Sequence, residues 1–112
     1  LAKFCDAFEA RGTDFAREIS VQMGRPVRYA PSEVKGMLDR ARTMIALAPA
    51  ALADVVPEAK PGFTRFIRRE PLGVVLTVAA WNYPYLIAVN SVVPALLAGN
   101  CAVFKPSELT PP

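Results

Sequence analysis

The sequence predicts an α/β protein in which helices come first and a parallel-sheet unit follows. Three observations predict this. The chain of 112 residues carries 13 Lys and Arg and 10 Asp and Glu, and every one except Lys105 and Glu108 falls before Pro71. Its first half places apolar residues three and four apart, the spacing of a helix face. After Gly73, two short continuous apolar runs flank one helical stretch, which suits strands buried on both faces of a parallel sheet.

The first helix follows from Leu1, Phe4, Cys5 and Phe8, with Gly12 as a break. Thr13 is placed to cap a second helix, on which Phe15, Ile19 and Met23 stack four apart. Gly24 ends it in a left-handed conformation, and Pro26 follows. A third helix starts around Pro31-Ser32-Glu33. Val34, Leu38, Ala41, Ile45 and Ala48 form its apolar stripe, with Met37 and Met44 alongside, and Glu33, Lys35, Asp39, Arg40 and Arg42 line the rest. Pro49 should end or kink it. Asp54 to Gly62 reads as a linker, which closes a first region of residues 1–62. Phe63 to Glu70 is rich in β-formers and reads as a strand. Its Arg65, Arg68 and Arg69 either offer a phosphate site or keep an edge or subunit-contact strand soluble.

Residues 71–112 then read as one βαβ unit. Val74 to Ala79 is the first strand, and Ala80-Trp81-Asn82-Tyr83 is a loop. Pro84 suits the first turn of a helix. That helix runs to about Ala98 and stops at Gly99-Asn100. Cys101 to Phe104 is the second strand, and the crossover should be right-handed.

Composition excludes several function classes. Histidine is absent, so a Ser-His-Asp triad, a Cys-His pair or a His-bearing metal site cannot be built from these residues; no metal is expected. The net charge of +3 is small and spread thinly, which argues against nucleic acid as a partner. The uncharged stretch from Pro71 to Phe104 is interrupted by Asn82, Pro84, Asn90, Pro94, Gly99 and Asn100, too often for a membrane span. Cys5 and Cys101 form no C-x-x-C motif and suit a reducing, cytoplasmic compartment. The first residue lies within a helical pattern and is not Met, and the last residues open a loop, so a longer parent protein is expected.

In doubly wound folds, ligands sit beyond the carboxyl ends of the parallel strands. Two polar loops leave those ends here: Ala80-Trp81-Asn82-Tyr83 and Lys105-Pro106-Ser107-Glu108. A Lys and a Glu three apart can reach a phosphate or a ribose; the alternative is a solvated loop with incidental charges. A G-x-G-x-x-G turn is absent after the first strand. The amide of Asn82 could donate to an acyl oxygen that gains negative charge, or simply form a turn or helix cap.

Taken together and in order, several segments resemble the aldehyde dehydrogenase superfamily. They are Arg69-Glu70-Pro71-Leu72-Gly73-Val74-Val75, Ala79-Ala80-Trp81-Asn82-Tyr83-Pro84, Pro94-Ala95-Leu96-Leu97-Ala98-Gly99-Asn100 and Lys105-Pro106-Ser107-Glu108-Leu109-Thr110-Pro111. The resemblance is sharp over residues 69–111 and rests on helix pattern over 1–50. It implies an incomplete aldehyde dehydrogenase fold: N-terminal helices, an oligomerisation-type strand over 63–70, and the start of a Rossmann-like NAD(P)-binding sheet.

The resemblance also implies roles. Asn82 matches the amide of the family's oxyanion hole and so would be catalytic. Ala80, Trp81, Asn82, Lys105, Pro106, Ser107 and Glu108 match the cofactor site, with Lys105 and Glu108 at the adenosine ribose. Glu108 favours NAD, because a carboxylate repels a 2′-phosphate, while Lys105 and Ser107 leave NADP open. Tyr83, Leu86, Ile87 and Asn90 match the substrate tunnel, and Asn90 hints at a polar aldehyde such as a semialdehyde. The implied partners are a small-molecule aldehyde and further copies of the chain, as a homodimer or homotetramer. The implied reaction oxidises the aldehyde to an acid through a cysteine thiohemiacetal. The family's nucleophilic cysteine, general-base glutamate and glycine-bearing cofactor loop all lie downstream of the matched segments. Cys101 reads as a core residue, not the nucleophile. Ala80 stands where the family usually has Pro. The alternative is a non-catalytic member of the same fold.

Overall fold

The computed structural model describes residues 1–111; Pro112, the last residue of the predicted βαβ region, lies outside the described residues. The order is α1 (Ala2–Ala10), α2 (Gly12–Met23), α3 (Ala30–Leu52), β1 (Val74–Val78), α4 (Pro84–Leu97) and β2 (Cys101–Lys105). Helix α3 is central and packs against α1, α2 and α4. The core lies between them: Cys5 from α1, Ile19 from α2, Val34, Met37, Leu38 and Ala41 from α3, and Val89 and Val93 from α4. Phe8 stacks on Phe15 and meets the ring of Tyr85 edge-on. The predicted stripes of the first three helices are therefore largely the faces that pack.

Some local expectations are corrected. Gly24 closes α2 at φ 73° as expected, but the N-cap is Arg11 and Thr13 makes no cap. Pro49 does not end α3, which runs on to Leu52. It sits in the last turn, where a missing N–H removes a single helical hydrogen bond. Glu33, expected on the polar face, is 1% exposed. It lies four residues before Met37 and so shares the packed stripe.

Phe63–Glu70 forms no continuous strand among the described residues. Val55 and Ile67 exchange two backbone hydrogen bonds at 3.0 and 2.8 Å, and Lys60 bridges Phe63. The arginines fold the segment onto itself: Arg68 pairs with Asp54, Arg65 donates to the Glu58 carbonyl and Arg69 to that of Ala53. High β-propensity gives a strand only where a partner runs alongside, and here two isolated bridges, at Phe63 and Ile67, meet it.

The βαβ unit follows the expected boundaries to within a residue. β1 and β2 are parallel, in register from Val74↔Cys101 to Val78↔Lys105. Helix α4 covers one face of this sheet. The Thr77 hydroxyl meets that of Ser91 on α4 at 2.8 Å. The expectation of burial on both faces is corrected for this chain: Val74, Leu76, Val78 and Val103 are exposed, because no described element packs on the second face. Cys101, expected in the core, is exposed for the same reason.

The α4–β2 turn does more than stop a helix. Gly99 has φ 81°, and a Cβ there would lie 3.0 Å from Pro71 Cγ, so both backbone and space require glycine. Asn100 Oδ1 accepts the N–H groups of Leu72 and Gly73 at 2.5 and 3.0 Å, and its amide donates to the Ala95 carbonyl. This one side chain ties the lead-in of β1 to the end of α4. Asn100→Ala in the intact protein should therefore cost about 0.5–1.5 kcal/mol, because three hydrogen bonds are lost but water can reach the exposed N–H groups of Leu72 and Gly73. The denaturation midpoint reads this, and an unchanged midpoint would refute it.

Candidate active-site loops

The last pair of the parallel register, Val78↔Lys105, decides where the two polar loops emerge. The Ala79 N–H still donates to the Lys105 carbonyl at 3.0 Å. The chain then leaves both strands at the same sheet edge. The structure thus brings Ala80 together with Pro106 and Ser107 around one cavity; Trp81, Asn82 and Glu108 lie on the same two loops but outside its lining. This cavity of about 140 Å³ lies between the loops and α2, lined by Ala80, Pro84, Pro106, Ser107 and Thr110 among others. The buried Thr110 hydroxyl in its wall has no hydrogen-bond partner among the described residues.

Ala80, Trp81 and Asn82 are exposed. The N-cap of α4 is Tyr83, with no side-chain cap, so Asn82 does not cap the helix. Its amide makes no hydrogen bond among the described residues and is free to meet a ligand. In the second loop, Lys105 Nζ donates to Glu108 Oε1. That hydrogen bond, with the Lys105 charge, holds the Glu108 carboxyl below its ordinary value. Glu108 is therefore an acceptor throughout the neutral range. The pair is exposed, so water weakens it and a ligand can displace either partner. Ser107 Oγ accepts the Leu109 N–H at 3.2 Å, which shapes the turn.

The predicted tunnel residues separate. Tyr83 lies in the loop, exposed, beneath the Arg25 guanidinium at 4.5 Å. Leu86 and Ile87 are half-buried on α4. Leu86 packs against Gly36 of α3, where an added Cβ would come within 3.4 Å. One turn further along both helices, Asn90 Oδ1 accepts from Arg40 Nη1 at 3.1 Å. Leu86 and Asn90 thus face α3 together.

Two residues beside the loop, Glu33 and Arg25, have roles that the sequence does not announce. The Glu33 carboxylate accepts the Tyr85 N–H at 3.1 Å and pairs with Arg25. A signal is present all the same: a carboxylate at helical spacing from Met37 and Ala41, with an arginine in the preceding turn. A larger cavity, about 660 Å³, lies between α2 and α3 and contains none of the loop residues. Among the described residues no group of acidic, His or Cys side chains could hold a metal, and no helix is long and apolar enough to cross a membrane.

Comparison with known proteins agrees with this arrangement. The 3,6-anhydro-alpha-L-galactose dehydrogenase of Streptomyces coelicolor is 38% identical over 106 residues, which is 95% of this chain and 21% of that protein. The structure of PnpE in complex with nicotinamide adenine dinucleotide, a protein of Pseudomonas sp. WBC-3, superimposes with a TM-score of 0.88 at 32% identity, over 97% of this chain and 22% of that one. The NADP-dependent glyceraldehyde-3-phosphate dehydrogenase of Bacillus halodurans C-125, complexed with NADP, gives 0.83 at 31% identity, over 95% and 23%. The chain thus spans about a fifth of the length of the relatives it matches. The family model described as "Aldehyde dehydrogenase family" matches residues 1–112, and with helices, sheet and loops all in agreement, the chain belongs to the aldehyde dehydrogenase family.

Proposed function

We propose that the parent protein is an NAD(P)-dependent aldehyde dehydrogenase, oxidising an aldehyde to a carboxylic acid, and that this chain supplies its oxyanion donor and part of its cofactor site. The observation that carries this is the shared sheet edge. The register ending at Val78↔Lys105 makes the loop of Asn82 and the loop of Lys105 and Glu108 leave the sheet at one edge, which supports a shared ligand there.

The residues present fit a dinucleotide. A ribose diol offers both donors and acceptors; Glu108 supplies carboxylate oxygens and Lys105 supplies N–H donors. Ala80, Trp81, Pro106 and Ser107 form the surrounding walls. An NAD(P) held by these residues would supply a hydride acceptor for the substrate carbon. The Asn82 amide donates to the substrate oxygen while that oxygen carries negative charge. The attacking group, a cysteine thiolate in this reading, belongs to the rest of the protein.

NAD is the preferred cofactor, because the ionised Glu108 repels a 2′-phosphate. Relatives of both kinds support the general NAD(P) reading: PnpE was solved with NAD and the Bacillus enzyme with NADP. Of the expected tunnel residues, Tyr83 lies on the Asn82 loop, while Leu86 and Asn90 face α3, so the substrate path in this reading runs along α4 from Tyr83 towards Asn90. With its oxygen held by Arg40, Asn90 has N–H donors left for a polar aldehyde, which favours a semialdehyde. The exposed Phe63, Phe66 and Ile67 favour subunit contact through residues 63–70, in a homodimer or homotetramer. The exposed free thiol of Cys101 suits the cytoplasm.

Cofactor choice tests the reading. In the full-length enzyme, Glu108→Gln should raise the ratio of kcat/KM for NADP over NAD by about tenfold, the effect of about 1.4 kcal/mol. Because Lys105 lowers the Glu108 pKa, the native carboxylate stays charged as pH falls. The native preference should then hold from about pH 8 to about pH 5, where an ordinary carboxyl begins to protonate. An unchanged ratio in Glu108→Gln would show that Glu108 does not face the ribose.

A further inference from the structure

We propose that Glu33, together with Arg25, is a positioning residue for the loop that carries Asn82. This rests on the oxyanion role proposed above and adds what holds the donor in place.

Helix α4 begins immediately after the loop, and its first N–H groups have no acceptors within the helix. Tyr83, its N-cap, offers no side-chain cap. The acceptor comes instead from another helix. Glu33 projects from the first turn of α3 with its side chain fully buried. Its Oε1 accepts the N–H of Tyr85 at 3.1 Å across 52 residues of sequence. A carboxylate at this end also meets the positive end of the α4 dipole.

The second carboxylate oxygen is engaged as well. Arg25 Nη1 donates to Glu33 Oε2, and the same guanidinium lies 4.5 Å over the ring of Tyr83. The ring of Tyr85 is in turn wedged edge-on against Phe8 and Phe15. The two residues on either side of Pro84 are thus held to α3 and the aromatic core through one buried carboxylate. Asn82, with an exposed and unbonded side chain, is the next residue out from Tyr83.

The chemistry gives such a tie a purpose. An oxyanion donor is effective when it is aimed before charge develops. A displacement of about 1 Å can cost on the order of 100-fold in rate. Buried ion pairs are often no more stabilising than apolar residues of the same volume. Stability alone therefore gives little reason for a charged pair here, whereas two directed acceptor sites on one rigid group hold both Tyr83 and Tyr85.

The test is a double-mutant cycle in the full-length enzyme between Glu33→Gln and Asn82→Ala. Glutamine keeps the size of Glu33 but turns one acceptor oxygen into an NH2 facing a donor. The readouts are the first-turnover rate of NADH formation, NAD affinity and the melting temperature. With Asn82 present, Glu33→Gln should lower the first-turnover rate about tenfold and leave NAD affinity within about twofold. With Asn82 already replaced by Ala, the same change should lower the rate by less than about twofold, because the donor it aims is gone. Arg25→Lys keeps the positive charge beside Glu33 but lacks the flat guanidinium over Tyr83, and should repeat the pattern if Glu33→Gln folds poorly. Equal losses in both backgrounds, or no loss with Asn82 present, would overturn the positioning role while the oxyanion role stands. A normal first turnover in Asn82→Ala alone would overturn both.

Discussion

Asn82→Ala in the full-length enzyme is expected to lower the first-turnover rate of NADH formation about 100–1,000-fold, on the order of 3–4 kcal/mol of lost transition-state stabilisation. NAD affinity and the melting temperature should stay near native. The reason is differential binding: the amide meets an oxygen that carries full charge only after the nucleophile has added. The competing account of Asn82, a helix cap, predicts the opposite pattern, with about 1 kcal/mol of stability lost and turnover nearly intact. Tyr83 is the N-cap of α4, so little stability is at stake in Asn82. A lowered melting temperature with an unchanged first turnover would reject the oxyanion role.

Glu33→Leu should have the largest effect on stability, about 3–5 kcal/mol, because it leaves the Arg25 guanidinium without its partner. The side chains of Glu33 and Arg25 are 0% and 14% exposed, so water replaces little of what is lost. The Tyr85 N–H loses its acceptor as well. The double variant Arg25→Met with Glu33→Leu should recover much of the loss, since no charge is then left alone. Denaturation midpoints of the two proteins, measured on the full-length enzyme, make the comparison. If the double variant is no more stable than Glu33→Leu alone, the cost lies in packing or in the orphaned amide and not in an unpaired charge.

The parts of the fold that are legible in sequence are those whose causes are local. Pro84 at the first turn, Gly99 after the last turn and the run from Val74 onward place β1, α4 and β2 to within a residue, because each boundary is set by its own backbone chemistry. Both strand-end loops follow from those boundaries, and with them the neighbourhood of Asn82, Lys105 and Glu108. The functions of Glu33 and Asn100 are not legible. Glu33 bonds a residue 52 positions away and Asn100 one 28 positions away, and no helical or strand period reports such a distance. The charge of Glu33 points to the polar face, although its spacing from Met37 places it on the packed one. Phe63–Glu70 misleads in the other direction: its composition favours a strand, but a strand also needs a partner, and composition does not reveal one.

The segment between Leu52 of α3 and Val74 of β1 leaves and rejoins a framework already closed by Glu33–Tyr85 and Arg40–Asn90. In thermodynamic terms it is an excursion whose ends are pinned by something else. The entropy of closing such an excursion rises only with the logarithm of its length, about 0.6 kcal/mol for each doubling. Residues 53–70 can therefore lengthen, shorten or change composition with little penalty to the helices and loops on either side. Variation in that stretch is nearly decoupled from the strand-end loops, so the surface it presents can diverge among relatives while the chemistry beside Asn82 is kept.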